Sequence, residues 1–346
     1  MAEREQGPGG VRRRGQLGRT GIPLTALALG GAPLGNLYQP VDDADAQHTV
    51  DAAYESGIRY FDTAPLYGSG LSETRMGRAL ATRPRDDYVL SSKVGWLLED
   101  DASIDNDGPY VGLPPGRRRR CDYSRDGTLR SIEASLARLG TDRLDIVYLH
   151  DLDEKCHGAE GFPQRFGEAM RGAFPALIEL RRAGVVRAVG LGVNEWRVCE
   201  LAARETDLDC FLLAGRYSLL DHSALATFLP LCAERKLGVV IGGPYNSGIL
   251  ASGAVPGARF DYRTADAATL ERTRRLEAIC RRHDVPLAAA AIQFPSFHPA
   301  VACVLAGARS AAEVQSNAAH FERAMPRALW AEMKAEGLLP ETAPTP

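Results

Sequence analysis

Four side chains in this sequence are of the kinds that move protons, and each lies at or just past the end of a strand-like run. Asp62 ends "IRYFD", Lys93 ends "YVLSSK", His150 ends "LDIVYLH", and Tyr67 sits in the loop "TAPLYGSG" after Asp62. Together they compose a proton-transfer set. A free phenol titrates near ~10, too high to act as a base at neutral pH. A neighbouring ammonium favours its phenolate, and a buried carboxylate beside the lysine holds that cation in place. A histidine alongside can donate a hydrogen bond to a substrate oxygen or relay a proton. Each residue also has a plainer reading. Asp62 alone could cap a helix, Tyr67 could be a packing aromatic, and His150 beside Asp151 could be an ordinary loop pair. Lys93 is hardest to set aside, because Lys93, Lys155, Lys236 and Lys334 are the only lysines in a chain whose other cations are arginines.

Such a set needs a frame that brings strand ends together. Eight short runs read as strands: "LALGG", "IRYFD", "YVLSSK", "LDIVYLH", "VVRAVGLG", "DCFLLAG", "LGVVIGG" and "ACVLAG". Runs such as "VVRAV" and "LGVVI" are apolar on both faces, as in a parallel sheet covered by helices. Between them lie apolar stripes at helical spacing: Ile132, Leu136 and Leu139; Leu225, Phe228, Leu229 and Cys232; Leu276, Ile279 and Cys280. Glycines at Leu139-Gly140, Ala183-Gly184 and Leu237-Gly238 read as helix stops. Eight strand-helix units in a chain of 346 residues predict a (β/α)8 TIM barrel, with an N-terminal strand or hairpin and long loops at the carboxyl face. An open doubly wound sheet is the rival, but "LGGAPLG" lacks the GxGxxG spacing that fold usually carries after its first strand. The whole of 1–346 reads as one domain, with residues 1–15 and 338–346 loose. Residues 99–127 read as one long irregular insert overhanging the barrel mouth, in which Arg117 to Arg120 form a solvated loop.

Composition narrows the function. Apolar residues make up 45% and charged residues 25%, a globular balance, and the net charge of −3 gives no electrostatic case for a nucleic-acid partner. Seven cysteines without CxxC spacing argue for a reducing compartment and against a disulfide framework. No run approaches the ~20 apolar residues of a membrane span. The stretch "IPLTALALGGAPLG" after Arg12-Arg13-Arg14 is interrupted by proline and glycines and reads as a first strand, not a secretion signal. The expected setting is cytoplasmic, the expected partner a small molecule, and the oligomeric state is open. His150, Asp151, Asp153, Cys156 and His157 crowd one loop, but their spacing fits no zinc pattern and no metal is assigned.

Several separated motifs agree on a family. "GIRYFDTAPLYGSGLSETRMGRAL", "YVLSSKVG", "LDIVYLHD" and "GARSAAEVQSNAAHFE" resemble the aldo-keto reductases in order and spacing over nearly the whole chain. The resemblance implies the barrel, NAD(P)(H) as cofactor, and hydride transfer between nicotinamide and a carbonyl or carbinol carbon. It implies Asp62, Tyr67, Lys93 and His150 as catalytic residues, with Tyr67 as general acid/base, Lys93 tuning it and Asp62 neutralising Lys93. Within the family, "GGAPLGNLY", "CDYSRDG", "YLHDLD", "LAGRYSLLD" and "GGPYNSGIL" look most like the D-threo-aldose 1-dehydrogenases, also called L-fucose or D-arabinose dehydrogenases. Plant L-galactose dehydrogenase and pyridoxal 4-dehydrogenase are near relatives. That branch oxidises a cyclic hemiacetal to a lactone. A pyridoxal 4-dehydrogenase, a general aldehyde or ketone reductase of the same fold, and a non-catalytic cofactor-binding subunit are the alternatives.

The same resemblance places the cofactor. Ser247 and Gly248 are expected at the pyrophosphate, and Gly307, Arg309, Glu313 and Asn317 at the adenine end, where the amides of a helix start suit phosphate. Asn194 is the expected carboxamide contact. The family pattern is broken there, with Gly192 and Val193 near the usual Ser-Asn pair, no glutamine in "LAGRY", and Gly242 where an aromatic often stacks. Glu313 occupies a position that often holds a base against a 2′-phosphate, which favours NAD over NADP, while Arg309 argues the other way.

Overall fold

The computed structural model describes residues 10–101, 108–113 and 116–346. Eight parallel strands close into a barrel: β1 (Leu27–Gly30), β2 (Tyr60–Asp62), β3 (Val89–Val94), β4 (Ile146–His150), β5 (Ala188–Val193), β6 (Cys210–Ala214), β7 (Gly238–Gly242) and β8 (Val301–Gly307). These are the eight runs anticipated from sequence. Closure comes from β8 pairing with β1, Val304 opposite Leu27 through Gly307 opposite Gly30.

Helices wrap the outside for the reasons their stripes suggest. The helix Arg125–Leu139 starts where Ser124 Oγ accepts the Gly127 amide at 3.0 Å, buries Ile132 and Leu139, and stops at left-handed Gly140. The helix Ala267–Arg282 is capped by Asp266 and buries Leu276, Ile279 and Cys280. One helix stop differs from expectation. The helix Phe228–Arg235 ends on Lys236, which itself takes the left-handed conformation (φ 55°). Gly238 instead opens β7, and a Cβ there would lie 2.8 Å from the Gly18 amide nitrogen, so close approach of two backbones demands the glycine.

Beneath the barrel, the hairpin Arg14–Gln16 with Pro23–Thr25 brings Leu17, Ile22 and Leu24 into full burial against an inner layer that includes Tyr60, Val89, Ile146, Tyr148 and Val240. The amino-terminal end is therefore stoppered, and the opposite end carries the polar side chains.

Three irregular regions are more ordered than the sequence implied. Residues 10–15 are not loose: Val11 is fully buried and its amide donates to Glu322 Oε1 at 3.1 Å; residues 1–9 lie outside the described part. The tail from 338 is anchored because Leu338, Leu339 and Ala343 are buried, and Arg272 donates to the Leu338 carbonyl at 2.9 Å. Both described ends of the 99–127 segment are ordered: Trp96–Asp100 pairs antiparallel with Arg117–Cys121, and the helix has already begun at Arg125, while residues 102–107 and 114–115 lie outside the described part. In that register Arg120 stands opposite Leu97 and reaches diagonally to Glu99, Nε to Oε1 at 2.6 Å, while its Nη1 lies 2.9 Å from Asp122 Oδ2 two residues along its own chain. Arg117 and Arg118 do face solvent, but on a strand, not in a loop. The overhang is real. Tyr38 N donates to the Pro109 carbonyl and Leu37 bridges to Tyr110, which carries the Tyr110 ring over the barrel mouth.

Candidate active site

Strand alternation explains how the four residues meet. Residues two apart on a strand share a face, so Tyr60 and Asp62 on β2, Ser91 and Lys93 on β3, and Tyr148 and His150 on β4 all point into the barrel. The register completes the arrangement by setting Asp62 beside Ser91 and Lys93 beside Tyr148. Lys93 then reaches across to Asp62, Nζ to Oδ2 at 2.6 Å, and also donates to the Thr63 carbonyl at 2.8 Å. Both side chains are 1% exposed. On the other oxygen, Asp62 Oδ1 accepts from Ser91 Oγ at 2.7 Å, and Ser91 continues through Tyr60 OH at 3.0 Å to Tyr148 OH at 3.1 Å. Burial lifts the Asp62 carboxyl above its ordinary range, opposed by the charge of Lys93. Sequence reasoning missed Tyr60, Ser91 and Tyr148; the signal was available, since each stands two residues before a titratable strand end.

Tyr67 is set by backbone packing. The 3-10 turn Pro33–Gly35 presses on its loop so closely that a Cβ on Gly35 would fall 2.6 Å from the Tyr67 carbonyl carbon. Gly68 answers with a left-handed φ of 63°. The ring lies with Lys93 Nζ 4.6 Å from its centroid, His150 edge-on at 5.7 Å, and Tyr110 at 6.2 Å. Here the sequence expectation needs correction. Lys93 was expected to lower the phenol, yet the Tyr67 hydroxyl is pushed well above its ordinary value, first by burial and then by the Asp62 carboxylate. The Lys93 ammonium donates to Asp62 and to the Thr63 carbonyl, and the carboxylate acts on the phenol in the opposite sense. His150 is held well below its ordinary value by burial and by Lys93, so it is neutral at pH 7, and its Nδ1 has no hydrogen-bond partner among the described residues. The adjacent histidine and aspartates have separate tasks: Asp153 caps the following helix through the Cys156 amide, and His157 Nε2 pairs with Tyr123 OH at 2.8 Å.

Two connected spaces open beside this set. A cavity of about 220 Å³ is walled by Leu37, Leu66, Tyr67, Tyr110, His150, Asp151, Asn194 and Tyr262. A long cleft, in two parts of about 190 and 380 Å³ that share Tyr38, Gly243, Asn246, Ser247 and Gly307, runs from Asp62 and Tyr67 to Arg309, Glu313 and Asn317. Ser247, Gly248, Gly307, Arg309, Glu313 and Asn317 thus line one channel. Asn194 stands on the side of the smaller cavity, its Nδ2 donating to Tyr262 OH at 3.3 Å. The channel suits a dinucleotide. Asn246 offers a buried Oδ1 with no partner among the described residues, and the helix Ala311–Glu322 opens at the far end, capped by Ser310. Gly242 leaves room at the near end, where a Cβ would meet Leu212 at 3.2 Å. A strap lies over the channel: Asp261 Oδ1 is held by Lys155 Nζ at 2.6 Å and by Arg216 Nη2 at 2.9 Å, and Ser247 Oγ accepts the Tyr262 amide.

Comparison with known proteins agrees with this geometry. Residues 26–336 match the Aldo/keto reductase family. The chain is 44% identical to a pyridoxal 4-dehydrogenase of Microbacterium luteolum, over 93% of this chain and 97% of that protein. It is 40% identical to a D-threo-aldose 1-dehydrogenase of a Pseudomonas species, over 92% of this chain and 96% of that one. Among solved structures, the holo form of the aldo-keto reductase AKR11C1 from Bacillus halodurans superposes with a TM-score of 0.73 at 26% identity, covering 94% of this chain and 96% of that one. No helix among the described residues is long and apolar enough to cross a membrane.

Proposed function

The chain belongs to the aldo/keto reductase family and is an NAD(P)-dependent oxidoreductase, and from that premise we propose that it oxidises a cyclic hemiacetal to a lactone. The observation that carries the reading is Tyr67, set between the Lys93–Asp62 pair and a neutral His150 at the meeting of a dinucleotide-sized channel and a small aromatic-walled cavity. The relatives point the same way. An aldose closes its C1 aldehyde onto one of its own chain hydroxyls, and pyridoxal closes its 4-aldehyde onto the neighbouring hydroxymethyl group. Both named substrates are therefore cyclic hemiacetals in water, and removing two electrons from either gives a lactone.

When bound, NAD(P) supplies the hydride acceptor, or in reverse the donor, at its nicotinamide ring. The chain's residues handle the proton. In oxidation Tyr67 accepts the proton of the hemiacetal hydroxyl as hydride leaves the same carbon; in reduction it returns that proton to the carbonyl oxygen. A hemiacetal hydroxyl is more acidic than a simple alcohol, which eases the transfer. His150, neutral and buried, offers a hydrogen bond to the reacting oxygen. Lys93 Nζ lies 4.6 Å from the Tyr67 ring centroid, and Asp62 with the Ser91–Tyr60–Tyr148 hydroxyls holds it there. Because Tyr67 is pushed up, it holds its proton through the neutral range, and the oxidative direction gains from alkaline pH.

NAD is the proposed preference. Arg309 is already neutralised: its amide donates to Glu313 Oε2 at 2.9 Å, its Nη2 to Glu313 Oε1 at 2.9 Å and its Nη1 to Gln39 Oε1 at 3.0 Å. Glu313 keeps lone pairs for a ribose hydroxyl, and while it holds Arg309 that guanidinium is not free to pair with a 2′-phosphate. A screen of L-fucose, D-arabinose, L-galactose and pyridoxal with NAD and NADP, followed by nicotinamide absorbance and lactone detection, tests both proposals. Turnover confined to open-chain aldehydes points to a general reductase, and cofactor binding without any turnover to a non-catalytic subunit.

A further inference from the structure

Asp151 is the carboxylate of this cavity that the proton-transfer set does not use. It follows His150 at the end of β4 with a left-handed φ of 54°, a conformation Asp and Asn tolerate better than other side chains. Its Oδ2 accepts from Trp96 Nε1 at 3.1 Å, and its Oδ1 lies 3.5 Å from His150 Nε2. The nearby cations are engaged elsewhere, Lys93 by Asp62 and Lys155 by Asp261. Its side chain is 19% exposed, and it lines the cavity alongside the Tyr67, Tyr110 and Tyr262 rings.

A carboxylate has about four acceptor sites, and the indole fills one of them. Among aromatic walls that shortfall is unfavourable: burial, with Asp153 nearby, pushes the Asp151 carboxyl up to about 7. A group kept at such a cost in a cavity is a candidate for ligand recognition. Its position says which part of a ligand it meets. An oxygen hydrogen-bonded to His150 is the reacting oxygen, and Asp151 Oδ1 sits beside that imidazole, where a substituent close to the reacting carbon would lie.

We propose that Asp151 is a specificity-determining residue that accepts a hydrogen bond from a substrate hydroxyl borne next to the reacting carbon or one carbon beyond it. Resting on the hemiacetal reading for its natural substrates, the assignment covers the 2-hydroxyl of an aldose and the 3-hydroxyl of pyridoxal by one chemistry. A site built to satisfy a hydroxyl discriminates strongly against the analogue that lacks it, because its own acceptor is then left unpaired.

The test compares wild type with Asp151→Asn on matched substrate pairs. Asn suits the left-handed backbone, and Trp96 Nε1 holds the amide oxygen at the Oδ2 position, so an NH2 donor replaces the Oδ1 acceptor beside His150. In the oxidative direction the pairs are an accepted aldose with its 2-deoxy counterpart, and pyridoxal with its 3-O-methyl ether; these two arms separate the two sources of the hydroxyl. In the reductive direction the pair is D-glyceraldehyde with propanal. Wild type is expected to favour the hydroxylated member about tenfold or more in kcat/KM, and Asp151→Asn to lower that ratio by about tenfold. Circular dichroism and fluorescence titration with NADH verify that the variant folds and binds cofactor. The proposal is overturned if wild type shows no preference in any pair, or if Asp151→Asn slows both members equally and leaves the ratio intact. Should wild type oxidise no hemiacetal, the proposed function fails on its own, and the glyceraldehyde–propanal ratio still decides the role of Asp151.

Discussion

Replacing Lys93 by Met removes the positive half of the ion pair at the bottom of the site while keeping most of the stem. With Lys93 Nζ 2.6 Å from Asp62 Oδ2, the bare attraction at an effective dielectric of ~20 is roughly 6 kcal/mol. Desolvation offsets part of it, and truncating one member of a buried pair costs about 3–5 kcal/mol because the survivor is left uncompensated. In Lys93→Met, Asp62 keeps only the Ser91 hydroxyl at 2.7 Å. Burial already lifts its carboxyl above the ordinary range, and loss of the ammonium lifts it further. A carboxyl raised in the fold binds its proton more tightly folded than unfolded, so the variant loses stability as pH climbs from the unfolded value near ~4 through the raised folded one. Urea denaturation followed by circular dichroism should show a loss of about 3–5 kcal/mol at pH 8 and roughly 1–2 kcal/mol at pH 5.5. Adding Asp62→Asn to Lys93→Met should recover part of the pH 8 loss, since no lone charge then remains. A loss under about 1 kcal/mol at pH 8, or an equal loss at both pH values, would falsify the pairing argument.

Tyr67→Phe keeps the ring and deletes the proton carrier, so kcat should fall roughly 10²-fold or more while NADH affinity, read by fluorescence titration, stays within about twofold. Near-native turnover would remove Tyr67 from the mechanism. Glu313→Lys should raise the NADP-to-NAD ratio of kcat/KM at least about tenfold by freeing Arg309 and adding a second cation; a wild type that already prefers NADP tenfold contradicts the reading of Glu313. The wild-type oxidation rate at saturating NAD should still be rising at pH 9, because burial and Asp62 push Tyr67 upward; a plateau reached near pH 7 would mean that the phenol is tuned downward after all.

The barrel was legible in the sequence because both-face apolar runs alternating with helical stripes admit few arrangements, and all eight runs became its strands. The strand-end residues were legible because Lys93 is rare of its kind and stands where barrels place reactive groups. Other features depend on partners distant in sequence. Arg120 looked solvated until the hairpin brought Glu99 diagonally within reach of it. The tail looked loose because "LLPETAPTP" is short and proline-rich, although its two leucines pack away. The phenol of Tyr67 was misjudged because its environment depends on burial and on how Asp62 shares Lys93, and neither is written in spacing. Arg309 and Glu313, four residues apart on the loop after β8 and the helix that follows it, argued opposite ways as letters and satisfy each other as side chains.

Closure of the barrel between β1 and β8 bears on how the chain is made. During synthesis the first barrel strand emerges with one neighbour soon behind it and the other almost the entire chain away. At roughly 5–20 residues per second, its second edge waits tens of seconds on the ribosome. Throughout that time Leu27 to Gly30 present unpaired amides and carbonyls along one edge, and the layer that the Leu17, Ile22 and Leu24 stopper packs against is incomplete, because Cys303 and Leu305 on β8 have not yet been made. The nascent chain thus carries an unpaired sheet margin until β8 appears, and shielding that margin is a separate requirement from the stability of the finished barrel.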